Sequence, residues 1–368
     1  MIVSLRRASA TVLAIVLVVM GAARPVAADN IRTLQWHLAA LSIPEAQKIS
    51  QGEGVVVGLP DTGVDVKHTE LAEAVLPGKG FGEGNDTDGR VDFLGHGTAM
   101  AGLIAGRGLP NGGGVLGVAP KAMVLPLQTL RNDDGHGVTA FLAEGINWAV
   151  DHGAKVICVA AVTGEDSQVR DAVERALRSD VVVVAGVGNT PDAATVGFPA
   201  KLPGVLAVGG TDRNGDHASI SATGPEVLVV APAVDVVSTR PFGKYAPATG
   251  TSDATAIVAG VVALVRARFP GLSGAEVVHR ITATATDMGK PGRDDEYGFG
   301  IVNPVAALTA DVPSVAVSSS GGGSVVDAGG AQPAGGDRAV RAVLLVGGVV
   351  VLLGGLVIAV RRRRLPRG

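Results

Sequence analysis

Short apolar runs alternate with amphipathic segments along the middle of the chain. The apolar runs are rich in valine, are bounded by turn residues, and span residues 55–59, 123–130, 155–162, 181–186 and 205–210. Between them, apolar residues recur at helical spacing in two segments, at Leu142, Ile146, Ala149 and Val150 and at Val169, Ala172, Val173, Ala176 and Leu177. Apolar strands that alternate with such helices are typical of a parallel sheet covered on both faces. The pattern therefore predicts an α/β fold with its active site at the carboxyl ends of the strands.

The two ends of the chain have the composition of an export signal and a membrane anchor. Residues 1–28 carry two adjacent arginines, an apolar run and a final group of small residues, which is the pattern of a secretory signal peptide. Residues 342–360 are uncharged and long enough for one crossing of a ~30 Å hydrocarbon core. The tail, residues 361–368, is rich in arginine and favours the cytoplasmic side. We expect a single-pass protein of the cell membrane, with its bulk outside the cytoplasm and its C-terminus inside.

The chain between these ends divides into an extension, a domain and a linker. Residues 29–54 form an N-terminal extension that is too short to fold alone. Residues 55–310 contain the strand and helix pattern and form one domain. Residues 311–341 turn to serine, glycine, alanine and valine, which predicts a flexible stalk of roughly 30 Å root-mean-square span.

Charge and cysteine content exclude several classes of function. The formal net charge is −3, to which the signal region contributes +3 and the tail +5, so residues 29–341 carry −11. An acidic ectodomain argues against nucleic acid as a partner. Cys158 is the only cysteine, which excludes an internal disulfide, and its apolar surroundings predict a buried side chain. The sequence has no HExxH zinc motif, so we expect no metal or cofactor in catalysis, and no run of residues identifies a structural calcium site.

Three motifs carry candidate catalytic residues. Asp61 follows the first apolar run in "DTGVD", His96 precedes a helix of small residues in "GHGTAMAG", and Ser252 begins another helix in "GTSDATAIVAG". A serine hydroxyl is a poor nucleophile until an imidazole accepts its proton, and a carboxylate holds that imidazole in the required tautomer. Free N–H groups at a helix start also stabilise developing negative charge. Each residue alone could be a turn residue or an N-cap, but together they predict a catalytic triad.

Over nearly all of residues 55–308 the chain resembles the subtilisin-like serine peptidases. The resemblance rests on the three motifs in the subtilisin order and on the segments "GVLGVAPKAMVLPLQTL", "FPAKLPGVLAVGGTD" and "DDEYGFGIVNPVAAL". It implies a three-layer fold with a mostly parallel sheet, and a serine endopeptidase that cuts proteins or peptides. It also implies that Asn189, in "VVVVAGVGN", directs its amide at the tetrahedral oxyanion together with the Ser252 N–H. The alternative is that Asn189 is an ordinary turn residue.

The order of signal peptide, short extension, stalk, single span and basic tail resembles that of the mycosins, the membrane-anchored proteases of type VII secretion. This narrower resemblance implies limited processing of exported proteins and association with the type VII secretion membrane complex. The alternative is a structural component of that complex in which proteolysis is dispensable.

Two departures from the subtilisin pattern lie near the candidate site. The residue after the nucleophile, a Met or an aromatic residue in the family, is Asp253, which places negative charge near the forming oxyanion. In "VICVAAVTGE", the substrate-binding Ser-Leu-Gly of the family aligns with residues 160–162 or with 162–164, which end at Gly164. Val162 replaces a Ser or Gly in both registers, which predicts a narrow cleft. The alternative is that Val162 packs into the core and the cleft is ordinary.

Overall fold

The structure is a computed structural model that describes residues 28–313, apart from residues 83, 131–138, 192 and 194. Its strands are β1 (Val56–Asp61), β2 (Lys79–Gly80), β3 (Met123–Gln128), β4 (Val156–Val159), β5 (Val182–Gly186), β6 (Leu206–Thr211), β7 (Val229–Pro232), β8 (Val236–Arg240) and β9 (Lys244–Ala248). Its helices are α1 (Ala28–Leu34), α2 (Trp36–Ala40), α3 (Ile43–Gln47), α4 (His96–Ala105), α5 (Thr139–Asp151), α6 (Ser167–Arg178), α7 (Thr251–Arg268), α8 (Gly274–Ala283) and α9 (Pro304–Thr309).

Both predicted membrane-related ends lie outside this part of the chain. The signal sequence up to residue 27, the stalk from residue 314, the span and the basic tail are not among the described residues. Within the described residues, no helix is both long enough and apolar enough to cross a bilayer.

Seven of the described strands form one parallel sheet, in the order β2-β3-β1-β4-β5-β6-β7. The remaining two, β8 and β9, pair as an antiparallel hairpin. All the strands predicted from the apolar runs belong to the parallel sheet, and α5 and α6 cover the two predicted amphipathic segments. The predicted α/β fold with a parallel sheet is therefore confirmed.

Successive residues of each central strand face opposite helical layers. In β4, Val156 and Cys158 pack into the buried cluster that contains α4 and α7, whereas Ile157 and Val159 pack into the cluster that contains α5 and α6. This alternation follows from the two-residue period of a strand. Burial on both faces explains why the strands read as continuous apolar runs, and Cys158 is fully buried as predicted.

The N-terminal extension packs onto the same core as the central helices. Leu38, Leu41 and Ile43, from α2, α3 and the turn between them, are buried in the cluster that contains α4 and α7. The Gln35 side chain donates to the Leu116 carbonyl oxygen at 3.0 Å and accepts from the Leu116 N–H at 2.8 Å. A segment too short to fold alone is therefore ordered by contacts with the larger domain.

The strand predicted at residues 155–162 is shorter in the structure, since β4 ends at Val159. The chain then leaves the parallel ladder, because the Thr163 N–H donates to the Phe198 carbonyl oxygen at 2.8 Å in an isolated antiparallel bridge. Residues 160–162 consequently lie beyond the carboxyl end of β4.

Candidate active site

The carboxyl ends of three neighbouring strands meet the starts of two helices at the predicted edge of the sheet. Asp61 is the last residue of β1, Ala160 directly follows β4, and Asn189 lies three residues beyond β5. His96 is the first residue of α4 and Ser252 is the second residue of α7. These two helices pack against each other, so the fold brings the segments that carry the three motifs together.

Asp61 and His96 form a hydrogen-bonded pair. The His96 Nδ1 atom lies 2.9 Å from Asp61 Oδ1 and 2.8 Å from Asp61 Oδ2. Asp61 is fully buried, whereas 38% of the His96 side chain is exposed. The Thr62 N–H donates to Asp61 Oδ1 at 2.7 Å and helps to fix the carboxyl group. Because an ionised carboxylate only accepts hydrogen bonds, Nδ1 carries the proton and Nε2 is left to accept one.

The electrostatic surroundings raise the pKa of His96 to about 8. Burial of the imidazole acts in the opposite direction, but the charge of Asp61 and its hydrogen bond outweigh it. Asp253 adds to the increase and Arg240 reduces it. The imidazolium that forms when His96 accepts a proton is therefore stabilised at this site.

Asp92, which the sequence pattern did not single out, fixes the turn before His96. Its carboxylate accepts hydrogen bonds from the N–H groups of Leu94, Gly95 and Thr98 at 3.0, 2.8 and 3.0 Å, and from the Thr98 hydroxyl at 2.7 Å. Only 2% of Asp92 is exposed. The sequence signal was an Asp shortly before a helix start, a position where this side chain bonds to free N–H groups.

Gly97 is required because α4 approaches the end of β1 closely. A Cβ atom at Gly97 would lie 2.1 Å from the Gly63 carbonyl oxygen and 3.2 Å from the Asp61 Cβ atom. The Gly97 N–H also donates to the Thr62 hydroxyl oxygen at 2.9 Å. A larger residue would therefore push His96 away from Asp61.

The Ser252 hydroxyl points toward the carboxyl end of β4. It donates a hydrogen bond to the Ala160 carbonyl oxygen at 3.0 Å, and the residue is half-buried. Ala160 directly follows β4, which pairs with β1, so the start of α7 lies close to the strand end that carries Asp61. The structure thus places the hydroxyl near the acid–base pair while it is hydrogen-bonded elsewhere.

The side-chain amide of Asn189 is oriented by Thr251. Its Oδ1 atom accepts from the Thr251 N–H at 2.9 Å and from the Thr251 hydroxyl at 3.1 Å. A Cβ atom built on Gly250 would lie 3.5 Å from Asn189 Nδ2 and 3.8 Å from the Ser252 nitrogen. These two nitrogens therefore border the same space in front of Gly250. The sequence had not indicated that Thr251 would hold the Asn189 amide.

Val162 lies at the surface next to the segment that carries Asn189. It is 37% exposed, so it does not pack into the core. A Cβ atom at Gly197 would lie 2.5 Å from Val162 Cγ1, and one at Gly188 would lie 3.3 Å from Val162 Cγ2. Gly164 is exposed, with no atom within 4 Å of the position of a Cβ. The Val162 side chain therefore occupies space beside two glycines, while Gly164 borders open space.

A cavity of about 330 Å³ opens next to the end of β1. Thr62, Val91, Leu94 and Leu130 contribute to its wall, together with Phe93, which is 75% exposed. The rest of its lining is largely polar, and a cavity of this mixed character near the Asp61–His96 pair is suited to hold a side chain of a bound peptide.

The described residues contain neither a metal centre nor a reactive thiol. No group of three or more His, Cys, Asp or Glu side chains among them is arranged to hold a metal ion. Burial, with a smaller contribution from the charge of Asp61, raises the pKa of the Cys158 thiol far above its usual range. Cys158 is therefore not a nucleophile at ordinary pH.

Known sequences match most of the chain. The family model for the subtilase family matches residues 52–300. Subtilisin DY from Bacillus licheniformis is 40% identical over 263 residues, which cover 70% of this chain and 92% of that protein. Subtilisin BL from Lederbergia lenta is 37% identical over 280 residues, which cover 75% of this chain and 99% of that protein.

Solved structures have the same fold as this chain. MycP1 from Mycobacterium smegmatis matches with a TM-score of 0.67 at 30% identity, over 76% of this chain and 85% of that one. The MycP3 protease from the type VII (ESX-3) secretion system matches with a TM-score of 0.67 at 34% identity, over 75% of this chain and 88% of that one. On these matches and the geometry of its site, the chain belongs to the subtilase family and is a serine endopeptidase.

Proposed function

We propose that this subtilase is anchored in the cell membrane, faces away from the cytoplasm, and makes limited cuts in proteins exported by a type VII secretion system. Its catalytic triad is Asp61, His96 and Ser252. The observation that carries the catalytic part of the proposal is the 2.8 Å hydrogen bond from His96 Nδ1 to buried Asp61, beside the helix start that bears Ser252.

Acylation begins when the Ser252 hydroxyl exchanges its hydrogen bond with Ala160 for one with His96 Nε2. His96 takes the hydroxyl proton as Ser252 Oγ attacks the peptide carbonyl carbon, and Asp61 stabilises the imidazolium that results. The imidazolium then protonates the departing amine, which leaves an ester on Ser252. His96 then takes a proton from a water molecule that attacks the ester, and it gives that proton to Ser252 Oγ as the C–O bond breaks and the carboxylic acid product leaves.

Two donors stabilise the oxyanion of each tetrahedral intermediate. One is the Ser252 N–H, which is free because it lies in the first turn of α7. The other is Asn189 Nδ2, since Thr251 engages the amide oxygen and leaves the NH₂ group for the substrate. Donors held in place before the reaction stabilise developing charge without reorganisation.

The cleft restricts which peptides are cut. Val162 lies beside Gly188 and Gly197, where its γ-carbons occupy space that a bulky substrate side chain would need. Gly164 leaves the far end of the same segment open to the peptide backbone. A cleft of this shape disfavours bulky residues before the scissile bond, as expected of an enzyme that processes a few proteins.

Sequence composition and similar proteins support the cellular setting. The uncharged residues 342–360 and the arginine-rich tail support a single membrane span. MycP3 is described as a protease from a type VII secretion system, and MycP1 as an essential component of one. The description of MycP1 also supports a second candidate function, in which the protein stabilises the secretion complex and its proteolysis is dispensable.

N-terminomics of the secreted proteins separates these two functions. Cells would carry the wild-type protein, Ser252→Ala, Ser179→Ala as an exposed-serine control, or a deletion of the whole gene. Loss of specific cleavage products in Ser252→Ala, with secretion retained, supports the processing role. If secretion and processing change only when the gene is deleted, and not in Ser252→Ala, the processing role is contradicted and the structural role is supported.

Membrane fractionation tests the anchor. We expect the full chain to stay in the membrane fraction after a high-salt wash, with residues 29–341 accessible to added protease. Deletion of residues 342–368 should release soluble enzyme, because it removes the proposed span. A truncated chain that still sediments with membranes, in cells without the secretion complex, would show that the span is not the main anchor.

A further inference from the structure

Asp253 is an enclosed carboxyl group that the triad mechanism does not use. It directly follows Ser252 in the first turn of α7, and only 2% of it is exposed. Among the described residues, none donates a hydrogen bond to its Oδ1 atom. Buried carboxyl groups are normally paired, because an unpaired charge is costly to remove from water. A buried carboxyl oxygen without a donor, directly after Ser252, therefore requires an explanation.

The charged and titratable groups that face Asp253 come from two neighbouring elements. They are His96 at the start of α4 and Arg240 at the end of β8. Burial raises the pKa of Asp253 to about 7, although His96 and Arg240 both act to lower it. The Arg240 guanidinium also donates to the Gly95 carbonyl oxygen at 3.4 Å, so it lies next to the turn that holds His96.

The interaction between Asp253 and His96 is reciprocal. The groups that face His96 are Asp61, Asp253 and Arg240, and the two carboxylates both favour the protonated imidazole. Asp61 is part of the hydrogen-bonded pair, whereas Asp253 acts on His96 through its charge alone. Each group shifts the pKa of the other, which is about 8 for His96 and about 7 for Asp253, so we expect the two groups to titrate as a pair.

We propose that Asp253 is a positioning residue of the active site, whose enclosed carboxyl group acts through His96 and sets the pH range in which the imidazole can accept the serine proton. This inference rests on the proposed catalytic roles of Ser252 and His96. When Asp253 is ionised it stabilises the imidazolium, so neutral His96 is reached only at higher pH. The same charge lies close to the oxyanion donors and opposes acylation. The first effect holds activity down until the pH exceeds the pKa of His96, and the second limits the acylation rate wherever Asp253 is ionised.

The pH dependence of His96 modification by diethyl pyrocarbonate tests this inference directly. The reagent reacts with neutral imidazole, so the rate at which the His96 peptide is modified, followed by mass spectrometry, reports its protonation whether or not Ser252 is catalytic. The full chain in detergent would be compared with Asp253→Asn and Asp253→Ala. Asp171→Asn, an exposed carboxylate on α6, is the charge control, and exposed His152 is the internal control.

We expect the midpoint of His96 modification to fall by roughly 0.5–1 pH unit in both Asp253 variants and to stay in place in Asp171→Asn. The wild-type profile should extend over two overlapping steps and the variant profiles over one. A His96 midpoint that moves by less than about 0.2 pH unit in the folded variants would overturn the inference.

A parallel measurement with a fluorophosphonate separates this result from a failure of the proposed function. If Ser252 is labelled neither in the wild type nor in any variant, the proposed catalytic roles of Ser252 and His96 are wrong. The His96 midpoints still decide what Asp253 does. Melting temperatures monitor the fold. Because the raised pKa of Asp253 makes its folded-state ionisation unfavourable, Asp253→Asn should melt no lower than wild type at pH 8.

Discussion

The two helices that carry His96 and Ser252 begin in contrasting surroundings. Before α4, the Asp92 carboxylate accepts four hydrogen bonds, and Asp61 accepts further ones from Thr62 and from His96 itself. At the start of α7, one carboxyl oxygen of Asp253 has no donor among the described residues. The Ser252 hydroxyl there is bonded to a backbone carbonyl instead of the imidazole.

The contrast shows that the two helix starts have different roles: one fixes the orientation of His96, and the other carries the carboxyl group that affects the protonation of His96. A fully bonded turn fixes where His96 points, so the acid–base pair exists before substrate arrives. The start of α7 instead has two features. The Ser252 hydroxyl must exchange its hydrogen bond with Ala160 for one with His96, and the charge of the Asp253 carboxyl group changes near neutral pH. Apart from loss of the Ser252 hydroxyl itself, variants at the first site should therefore affect the rate most, and variants of Asp253 should affect its pH dependence.

Asp61→Asn should produce the largest loss at the α4 side. The amide cannot both hold the Nδ1 proton and stabilise the imidazolium, so kcat for hydrolysis of a p-nitrophenyl ester should fall by about 10⁴. Asp65 is a nearby buried carboxylate that accepts hydrogen bonds from the backbone N–H groups of Lys67 and Phe242 and has none from His96, so Asp65→Asn should change kcat by less than about threefold. A loss of kcat below about tenfold in Asp61→Asn would show that Asp61 is not part of a catalytic triad.

Asn189→Ala should lower kcat by roughly 10²–10³ and leave the fold and KM nearly unchanged, because it removes one oxyanion donor. The same ester assay measures it. Asn214→Ala, an exposed turn residue, is the matched control. If both variants lose similarly little activity, Asn189 is a turn residue and Thr251 orients its amide for structural reasons only.

The rate of ester hydrolysis should have an acidic limb with a midpoint between about pH 7 and about pH 8, from the pKa values of the His96–Asp253 pair. Protonated His96 cannot accept the serine proton, so the rate should fall up to tenfold for each pH unit below the limb. A profile measured in buffers of constant ionic strength checks this expectation. A flat rate from pH 5 to pH 9 would exclude His96 as the base.

Val162→Gly should change the rate of hydrolysis of small esters least among these variants, but it should measurably change the rate at which large substrates are digested. Removing the side chain that lies against Gly188 and Gly197 opens the cleft, so casein digestion should rise several-fold, roughly as expected for a contact of ~1 kcal/mol. The wild-type ectodomain should digest casein slowly. Digestion by the wild type at the rate of a degradative subtilisin would rule out a narrow cleft.

Local sequence signals predicted the parts of the site that depend on short segments. The apolar runs located the strands, and the motif residues Asp61, His96 and Ser252 follow strand ends or begin helices as their spacing indicated. Long-range contacts were not predictable in this way. Nothing near Thr163 shows that it pairs with Phe198 and ends β4 early.

The sequence also could not show how completely each polar group is satisfied. Asp92 and Asp253 are both acidic residues close to a helix start, and their local patterns do not differ in a decisive way. All four donors of Asp92 lie within six residues of it in the chain, whereas the packing around α7 buries Asp253 and leaves one of its oxygens with no donor among the described residues. The sequence showed that Asp253 departs from the family pattern after Ser252. It did not show that Asp253 interacts with His96.

Fluorophosphonate labelling of the full chain tests the central claim, that Ser252 is a nucleophile activated by the Asp61–His96 pair, most directly. We expect the wild type and the exposed-serine control Ser179→Ala to be labelled on the peptide that contains Ser252, as located by mass spectrometry. Ser252→Ala should lose all labelling while keeping the wild-type melting temperature. Labelling that persists in folded Ser252→Ala, or that maps to another residue, would contradict the account.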